Sequence, residues 1–177
     1  MYSKYHKQIC EEMKLLAENK KVMFIGQQTA SENFYNTLKD IPMDRRTEMP
    51  VAEEMQLGLS IGLSFQGYLP VSIYQRMDFL PRACDQLVNH LDLIKEASRG
   101  IFNPKVIIRT TVGTNNPFNV GIQHNKDLTE GFKALLKNIE VMPVKTVEEV
   151  KEAYKRARES ENSVMIVEYQ ELYYTGE

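Results

Sequence analysis

The stretch "PKVIIRTTVG", residues 104–113, sets the architecture of this chain. Val106, Ile107 and Ile108 run together without a polar interruption, and Thr110, Thr111 and Val112 keep the β-branched character. A strand with one wet face alternates apolar and polar side chains, so a continuous run predicts a strand covered on both faces, as in parallel sheets. Working outward, "KVMFIG" (21–26), "YLPVSIYQ" (68–75), "IEVMPV" (139–144) and "SVMIVEYQ" (163–170) read as further short strands. Pro70 stands near the start of its strand, where a missing N–H is tolerated.

Helical patterns fill the intervals. Residues 3–19 carry Tyr5, Ile9, Met13, Leu15 and Leu16 among charges, close to one apolar face. "TASENFYNTLKDIP" (29–42) is expected to open a helix with Ser31 as N-cap. Residues 53–66 hold Leu57, Leu59, Ile61, Leu63 and Phe65. "DFLPRACDQLVNHLDLIKEAS" (78–98) places Pro81 in a first turn and keeps Leu80, Cys84, Leu87, Val88, Leu91 and Ile94 at helical spacing. "DLTEGFKALLKN" (127–138) and "TVEEVKEAYKRARES" (146–160, with Thr146 as N-cap) complete the set. Strands alternating with helices predict one α/β domain over residues 1–177, a three-layer α/β/α sandwich around a mostly parallel sheet.

Composition narrows the function classes. With 42% hydrophobic and 26% charged residues and a net charge of −2, the chain reads as a globular protein with no electrostatic reason to bind nucleic acid or an anionic membrane. No apolar run approaches a membrane span, and "MYSKYHKQICEEMK" lacks the core of a signal peptide, so a cytoplasmic location is expected. Cys10 and Cys84 form no metal or redox spacing and read as buried thiols. "GQQTAS" follows the first strand in place of a glycine-rich phosphate loop, which argues against a general nucleotide-binding domain.

The chemistry concentrates at "MPVAEEMQLGLSIG", residues 49–62. Two adjacent acids at a helix start commonly do no more than favour the positive end of its dipole. Ligands of parallel α/β sheets, however, sit where loops enter helices beyond the strands' carboxyl ends, and Glu53 stands at such an entry. Gly58 and Gly62 follow it by five and nine residues. Each glycine inside a helix costs about 1 kcal/mol relative to alanine, so their repetition asks for close backbone approach and hints at packing against another helix or chain.

This segment resembles "T-P-I-x-E-x-x-x-x-G-x-x-x-G" of the beta subunit of the first component of 2-oxoacid dehydrogenases (pyruvate, branched-chain and acetoin types). "GYLPVSIYQRMDFLPRACDQLVN" resembles that family's "G-x-x-P-x-x-E-x-x-x-x-D-F-x-x-x-x-x-D-Q-x-x-N", and "PKVIIRTTVG" its "P-x-V-x-R-x-P-x-G". "GIQHNKDLTEGF" is similar to "G-x-Q-H-S-Q-x-x-x-x-x-F", and "NSVMIVEYQELYY" to "N-P-V-x-x-L-E-x-x-x-L-Y". "VMFIGQQ" and "VMPVKTVEEVKEAYKRA" also resemble family segments, so the matches run collinearly along essentially the whole chain.

The resemblance implies the pyrimidine-binding domain of a thiamine-diphosphate enzyme of the transketolase-like superfamily. The cofactor would lie between this domain and a diphosphate-binding (alpha-type) subunit, within a hetero-tetramer. That partner would hold most of the Mg²⁺ coordination, and no metal ligands are assigned to this chain. Glu53 maps onto the family's glutamate, which hydrogen-bonds a ring nitrogen of the aminopyrimidine and promotes its imino tautomer; Glu54 remains the capping acid. His124 matches the histidine facing substrate and intermediate, although a lone histidine is commonly just a satisfied polar residue. Phe79 matches an aromatic near the pyrimidine, with a core aromatic as the equal alternative. Gln27 stands beside the cofactor where relatives carry an acid. Asp85 and Gln86 match the family's "D-Q" in a structural role, Arg109 reads as scaffold near the site, and His6 and His90 are assigned nothing. The implied substrate is a small 2-oxoacid or a ketose.

Several departures from the family pattern bear on this. Gln27 replaces an acid, and Ile73 and Tyr74 occupy the strand where relatives carry a glutamate. The loop "TTVGTNNPFNVG" (110–121) lacks the proline of the family's "R-x-P-x-G" and reads as longer than usual, so substrate class does not carry over. The family continues by another domain beyond "L-Y", so a separately encoded half is expected, with an excised fragment as the alternative; free-standing decarboxylation or two-carbon transfer is expected rather than service in a large complex. The reading from a different class is a non-catalytic scaffold or regulatory subunit that retains the fold.

Overall fold

A computed structural model of the chain describes residues 1–115 and 120–174. Helix α1 (Lys4–Glu18) begins at Ser3, whose hydroxyl oxygen accepts the His6 N–H at 3.1 Å. Its apolar residues Tyr5, Ile9, Met13 and Leu16 share one buried face. Strands β1 (Val22–Gly26), β2 (Arg46–Glu48), β3 (Leu69–Tyr74), β4 (Ile107–Val112), β5 (Glu140–Pro143) and β6 (Val164–Tyr169) form a single sheet in the order β2-β1-β3-β4-β6-β5. Every neighbouring pair is parallel. The chain turns closely at the end of β1, where a methyl group on Gly26 would lie 2.3 Å from the Ile73 carbonyl oxygen.

The sheet divides two apolar cores. On one face α1 and α5 (Val147–Glu159) pack Ile9, Met13, Val150 and Tyr154 against Phe24, Val71 and Ile107. On the other, α2 (Glu53–Phe65) and residues 77–91 bury Leu57, Leu80 and Leu87 against Ile108, Met165 and Val167, joined by Phe132 of α4 (Thr129–Leu135). This is the expected three-layer α/β/α sandwich, with the sheet fully rather than mostly parallel. Helix α5 starts in a reciprocal cap: Thr146 Oγ1 accepts the Glu149 N–H at 3.1 Å, while the Glu149 carboxylate accepts the Thr146 N–H at 3.0 Å.

Three expectations change. The helix over 29–42 does not form: Asn33, Phe34, Tyr35 and Asn36 adopt φ values of 55°, 41°, 53° and 62°, a left-handed turn. Such backbone costs about 1–2 kcal/mol per residue, and tertiary contacts override the local preference. Phe34 is fully buried in the α1/α5 core, with the Arg109 guanidinium 4.7 Å from its ring centroid. The Ser31 N–H bonds to the Glu48 carboxylate instead of starting a helix. The second change is strand β2, which sequence reading missed because the three-residue segment "RTE" carries no apolar signal.

The third concerns residues 78–98, which form no continuous α-helix. Met77–Ala83 is a 3₁₀-helix, Asp85–Leu91 is π-helical, and only α3 (Ile94–Ala97) is regular. Pro81 supplies no N–H within the first segment. Beyond the second, the Asp92 carboxylate accepts the backbone N–H groups of Lys137, Asn138 and Ile139 at 2.9, 2.8 and 2.9 Å, fixing the segment's end against the loop after α4. Asp85 binds Asn89 and His90 on the surface, and His6 is buried with its Nε2 2.8 Å from the Tyr35 carbonyl oxygen. Cys10 is buried as expected, whereas Cys84 is only half-buried.

Arg109 is scaffold, though on the α1/α5 face rather than the face bearing α2. It is wholly buried and forks onto Glu168, Nε to Oε1 and Nη2 to Oε2, each at 2.9 Å. Nη1 donates to Thr37 Oγ1 at 2.9 Å, so the left-handed turn also completes this network. The Tyr154 and Tyr173 hydroxyls donate to the same carboxylate. Burial alone would loosen the arginine's proton, but the Glu168 charge outweighs it and holds the guanidinium charged; burial and Glu168 together push both phenols far above their ordinary range.

Candidate active site

A parallel sheet gathers the exits of its strands along one edge, and the singled-out residues lie on those exits. Gln27 follows β1, Glu53 begins the helix after β2, Phe79 lies in the turn after β3, and His124 lies beyond β4.

Glu53 is the first residue of α2, 3% exposed, whereas the adjacent Glu54 is exposed. Ala52 precedes the helix without a side-chain cap, so the first-turn acids face free backbone N–H groups. The start of the helix is anchored from beneath. The Tyr74 hydroxyl donates to the Glu53 carbonyl oxygen at 3.4 Å and accepts from Ser72 Oγ at 3.3 Å. Gln56 Nε2 donates to Ser72 Oγ at 3.1 Å and to the Ile73 carbonyl oxygen at 2.9 Å. Tyr74, at the end of the strand where an acid was expected from the resemblance, is thus a neutral prop; burial raises its phenol, Ser72 opposes that, and Glu53 adds to it.

The Glu53 carboxylate opens onto a concavity of about 610 Å³ lined also by Met55, Gly58, Arg82 and Gln86. Arg82 Nε donates to Glu53 Oε2 at 3.2 Å. A methyl group on Gly58 would meet Gln86 Oε1 at an ordinary 3.6 Å, and one on Gly62 would meet nothing within 4 Å. The close approach expected of these glycines is therefore not made within the chain. They lie on an open face of α2 shared by Met55 (51% exposed) and Leu59 (40% exposed).

The second group surrounds His124. Its imidazole meets the Phe79 ring edge-on, centroids 5.7 Å apart at 87°, so Phe79 is half-buried against His124 rather than a core aromatic. The His124 carbonyl oxygen accepts from Arg76 Nη1 at 3.2 Å, and a methyl group on Gly113 would lie 1.9 Å from that oxygen. Only glycine there leaves room for the His124 backbone. Asp78 holds the next turn by accepting the Lys126 N–H at 3.3 Å. Residues 76–86 therefore touch both groups: Arg82 and Gln86 face Glu53, while Arg76 and Phe79 face His124.

Gln27 is half-buried at the end of β1 and makes no hydrogen bond to either group among the described residues. Part of the loop read as unusually long, residues 116–119, lies outside the described residues, as do residues 175–177. Among the described residues, no three His, Cys, Asp or Glu side chains gather in a way that could hold a metal ion, and no helix is long and apolar enough to cross a membrane.

Sequence reasoning missed Arg76 and Arg82, and met Tyr74 only as part of a strand lacking an acid. Arg82 carried the one readable signal, a base three residues after Phe79 inside a segment already matched to the site. An arginine on a predicted helix otherwise reads as a solvated residue.

Residues 7–175 match the family "Transketolase, pyrimidine binding domain". Among curated proteins, the chain is 30% identical over 129 residues to the pyruvate dehydrogenase E1 component subunit beta-3, chloroplastic, of Arabidopsis thaliana, covering 73% of this chain and 31% of that protein. It is 24% identical over 178 residues to the pyruvate dehydrogenase E1 component subunit beta of Cyanidium caldarium, covering 98% of this chain and 53% of that protein. The chain thus matches from 31% to 53% of the length of these relatives. Among solved structures, a chain described as "Split gene transketolase, inactive beta4 tetramer" superposes with a TM-score of 0.69 at 22% identity, covering 94% of this chain and 50% of the other.

Proposed function

The chain belongs to the transketolase pyrimidine-binding domain family, and on that premise we propose that it forms the pyrimidine side of a thiamine-diphosphate site completed by a separate diphosphate-binding chain. The carrying observation is Glu53, a carboxylate 3% exposed that nevertheless lines an open concavity. A buried acid is costly unless paired or used, and Arg82, 72% exposed, is a loose partner that a ligand can displace.

The residues suit the pyrimidine end of the cofactor. Glu53 offers a carboxyl oxygen to share a proton with a ring nitrogen, and Phe79 offers an aromatic surface at the neighbouring strand exit. When bound, thiamine diphosphate supplies a carbon nucleophile and an electron sink for cleaving the bond next to a carbonyl. Glu53 would hold the pyrimidine ring by sharing a proton with one of its nitrogens. His124, steadied by Phe79 and by the Arg76 bond to its carbonyl, presents a group able to donate or remove a proton where substrate oxygen develops charge. Mg²⁺ and the diphosphate belong to the partner in this reading. The open face of α2, with Gly62 bare and Met55 and Leu59 exposed, supports packing against another chain, giving a hetero-tetramer. The substrate is a small 2-oxoacid or a ketose.

The test is reconstitution with a diphosphate-binding chain, thiamine diphosphate and Mg²⁺. Cofactor-dependent turnover should appear and fall by about 100-fold or more in Glu53→Gln, the scale of a lost proton-transfer group. Turnover in that variant within twofold of the original overturns the assignment.

One observation favours a second reading, a scaffold or regulatory subunit: Arg82 already pairs with Glu53, beside Gln27 and the Ile73–Tyr74 stretch, where the family pattern noted above has acids. Under it, the reconstituted complex assembles and Glu53→Gln changes nothing.

A further inference from the structure

Arg76 sits at the exit of β3 as the residue preceding the 3₁₀-helix, and its carbonyl oxygen accepts the Phe79 N–H at 3.1 Å. The arginine, Phe79 and His124 therefore belong to one small surface. Arg76 is half-buried, and both hydrogen bonds of its guanidinium come from a single nitrogen: Nη1 donates to the His124 carbonyl oxygen at 3.2 Å and to Gln170 Oε1 at 2.8 Å. A methyl group on Gly113 would lie 2.3 Å from the same nitrogen, so this end of the fork is locked. Gln170, 5% exposed, is fixed in turn by donating to Thr111 Oγ1 at 2.6 Å.

The other edge, Nε–H and the Nη2 hydrogens, has no acceptor among the described residues. Among the described residues, no carboxylate lies within 4.0 Å of Arg76, whereas Arg82, Arg109, Arg156 and Arg158 each have one. A half-buried cation held only by neutral acceptors retains its full charge for a ligand, and two parallel N–H groups match a carboxylate or a phosphate.

We propose that Arg76 is the anion-recognising residue of this site, its free Nε/Nη2 edge receiving an oxyanion of the substrate beside His124. This rests on the proposed function for the identity of the substrate, because a 2-oxoacid brings a carboxylate and a phosphorylated ketose brings a phosphate. Gln170 and Gly113 set its geometry: they fix one edge of the guanidinium so that the other stays presented without reordering.

The experiment follows the Arg76 side-chain ¹⁵Nε resonance and the His124 ring resonances of the full chain during titration with three probes. These are pyruvate, inorganic phosphate and the neutral ketone hydroxyacetone. A saturable shift of both residues with pyruvate but not phosphate or hydroxyacetone assigns a carboxylate site; the same shift with phosphate but not pyruvate assigns a phosphate site. Shifts with both anions and none with hydroxyacetone assign a general oxyanion site. In Arg76→Gln the apparent Kd should rise roughly tenfold or more, as for a lost charge-assisted bond, and Arg76→Lys should recover part of it. No shift of Arg76 with either anion, an equal shift with hydroxyacetone, or undiminished anion binding at His124 in Arg76→Gln overturns the proposal. Should the glutamine variant fail to fold, the wild-type Arg76 resonance decides alone. None of these readouts uses cofactor or turnover, so a loss of the anion response leaves the Glu53 assignment standing, and a loss of Glu53-dependent turnover leaves the anion response to be read.

Discussion

Arg82 Nε lies 3.2 Å from Glu53 Oε2, yet the arginine side chain is 72% exposed and the glutamate 3%. The pair joins an exposed cation to a sheltered anion. A ligand that needs the carboxylate competes with the arginine, and the arginine has water to return to.

Removing Arg82 should therefore aid binding at small cost to the fold. Glu53 keeps the favourable end of the α2 dipole and borders an open concavity, so Arg82→Ala should lower stability by no more than about 1 kcal/mol in urea unfolding. In the reconstituted complex the same variant should bind thiamine diphosphate several-fold more tightly by calorimetry. Weaker binding would identify Arg82 as a cofactor ligand rather than a competitor.

Gly113→Ala should act on His124. The added methyl meets the His124 carbonyl oxygen at 1.9 Å and Arg76 Nη1 at 2.3 Å, both held by a hydrogen bond to one another. Relief requires the 121–126 turn to move, at about 1–3 kcal/mol for an overpacked site. His124 ring resonances should shift, and reconstituted turnover should fall at least tenfold while the thermal transition remains cooperative.

The Arg109–Glu168 pair gives a prediction about stability alone. Arg109→Met strands a buried carboxylate and should cost about 3–5 kcal/mol in urea unfolding. Arg109→Met combined with Glu168→Leu should be less destabilising than the single change, because the second substitution removes the unpaired charge. Additive losses would show that packing rather than charge dominates there.

Glu48 predicts an acid limb. Burial would raise its carboxyl, but the N–H groups of Ala30, Ser31 and Gln28 outweigh that and hold it below its ordinary 4.5. A folded value below the unfolded one means the stabilisation is complete above the unfolded value and is lost as pH falls through the folded one. Stability should thus decline below about pH 4.5, and Glu48→Gln should flatten that decline in unfolding curves measured across pH.

Legibility followed burial and chain locality. Strands β3, β4 and β6 are buried along their whole length or nearly so, and continuous apolar character marked them; α5 announced itself by its capping residue and a single apolar face. What escaped depends on distant partners. Asn33–Asn36 turn left-handed because Phe34 and Thr37 are drawn to Arg109, more than seventy positions away. Residues 85–91 wind as a π-helix, with the apolar positions Leu87 and Leu91 buried as spaced, so the pattern marked the right side of the segment but not its pitch. At the site, glycine spacing separated Glu53 from Glu54. Arg76 could not be read, and Arg82 only by its place in a matched segment, since their importance lies in which acceptors surround them in space.

The strand order carries a kinetic consequence. Strand β1 lies between β2 and β3, and β2 is a three-residue edge strand held by that one neighbour. Glu48, at its end, ties down the 28–31 loop, so strand and loop form a unit that opens together. Among the strands, hydrogen exchange should therefore be fastest there and slowest in β3 and β4, the two central strands of the order. Glu53 is five residues beyond Glu48, and its main chain is anchored separately by Tyr74. The carboxylate thus stands at the seam between the first part of the fold to loosen and the last, where arrival of a ligand or a second chain would slow exchange most.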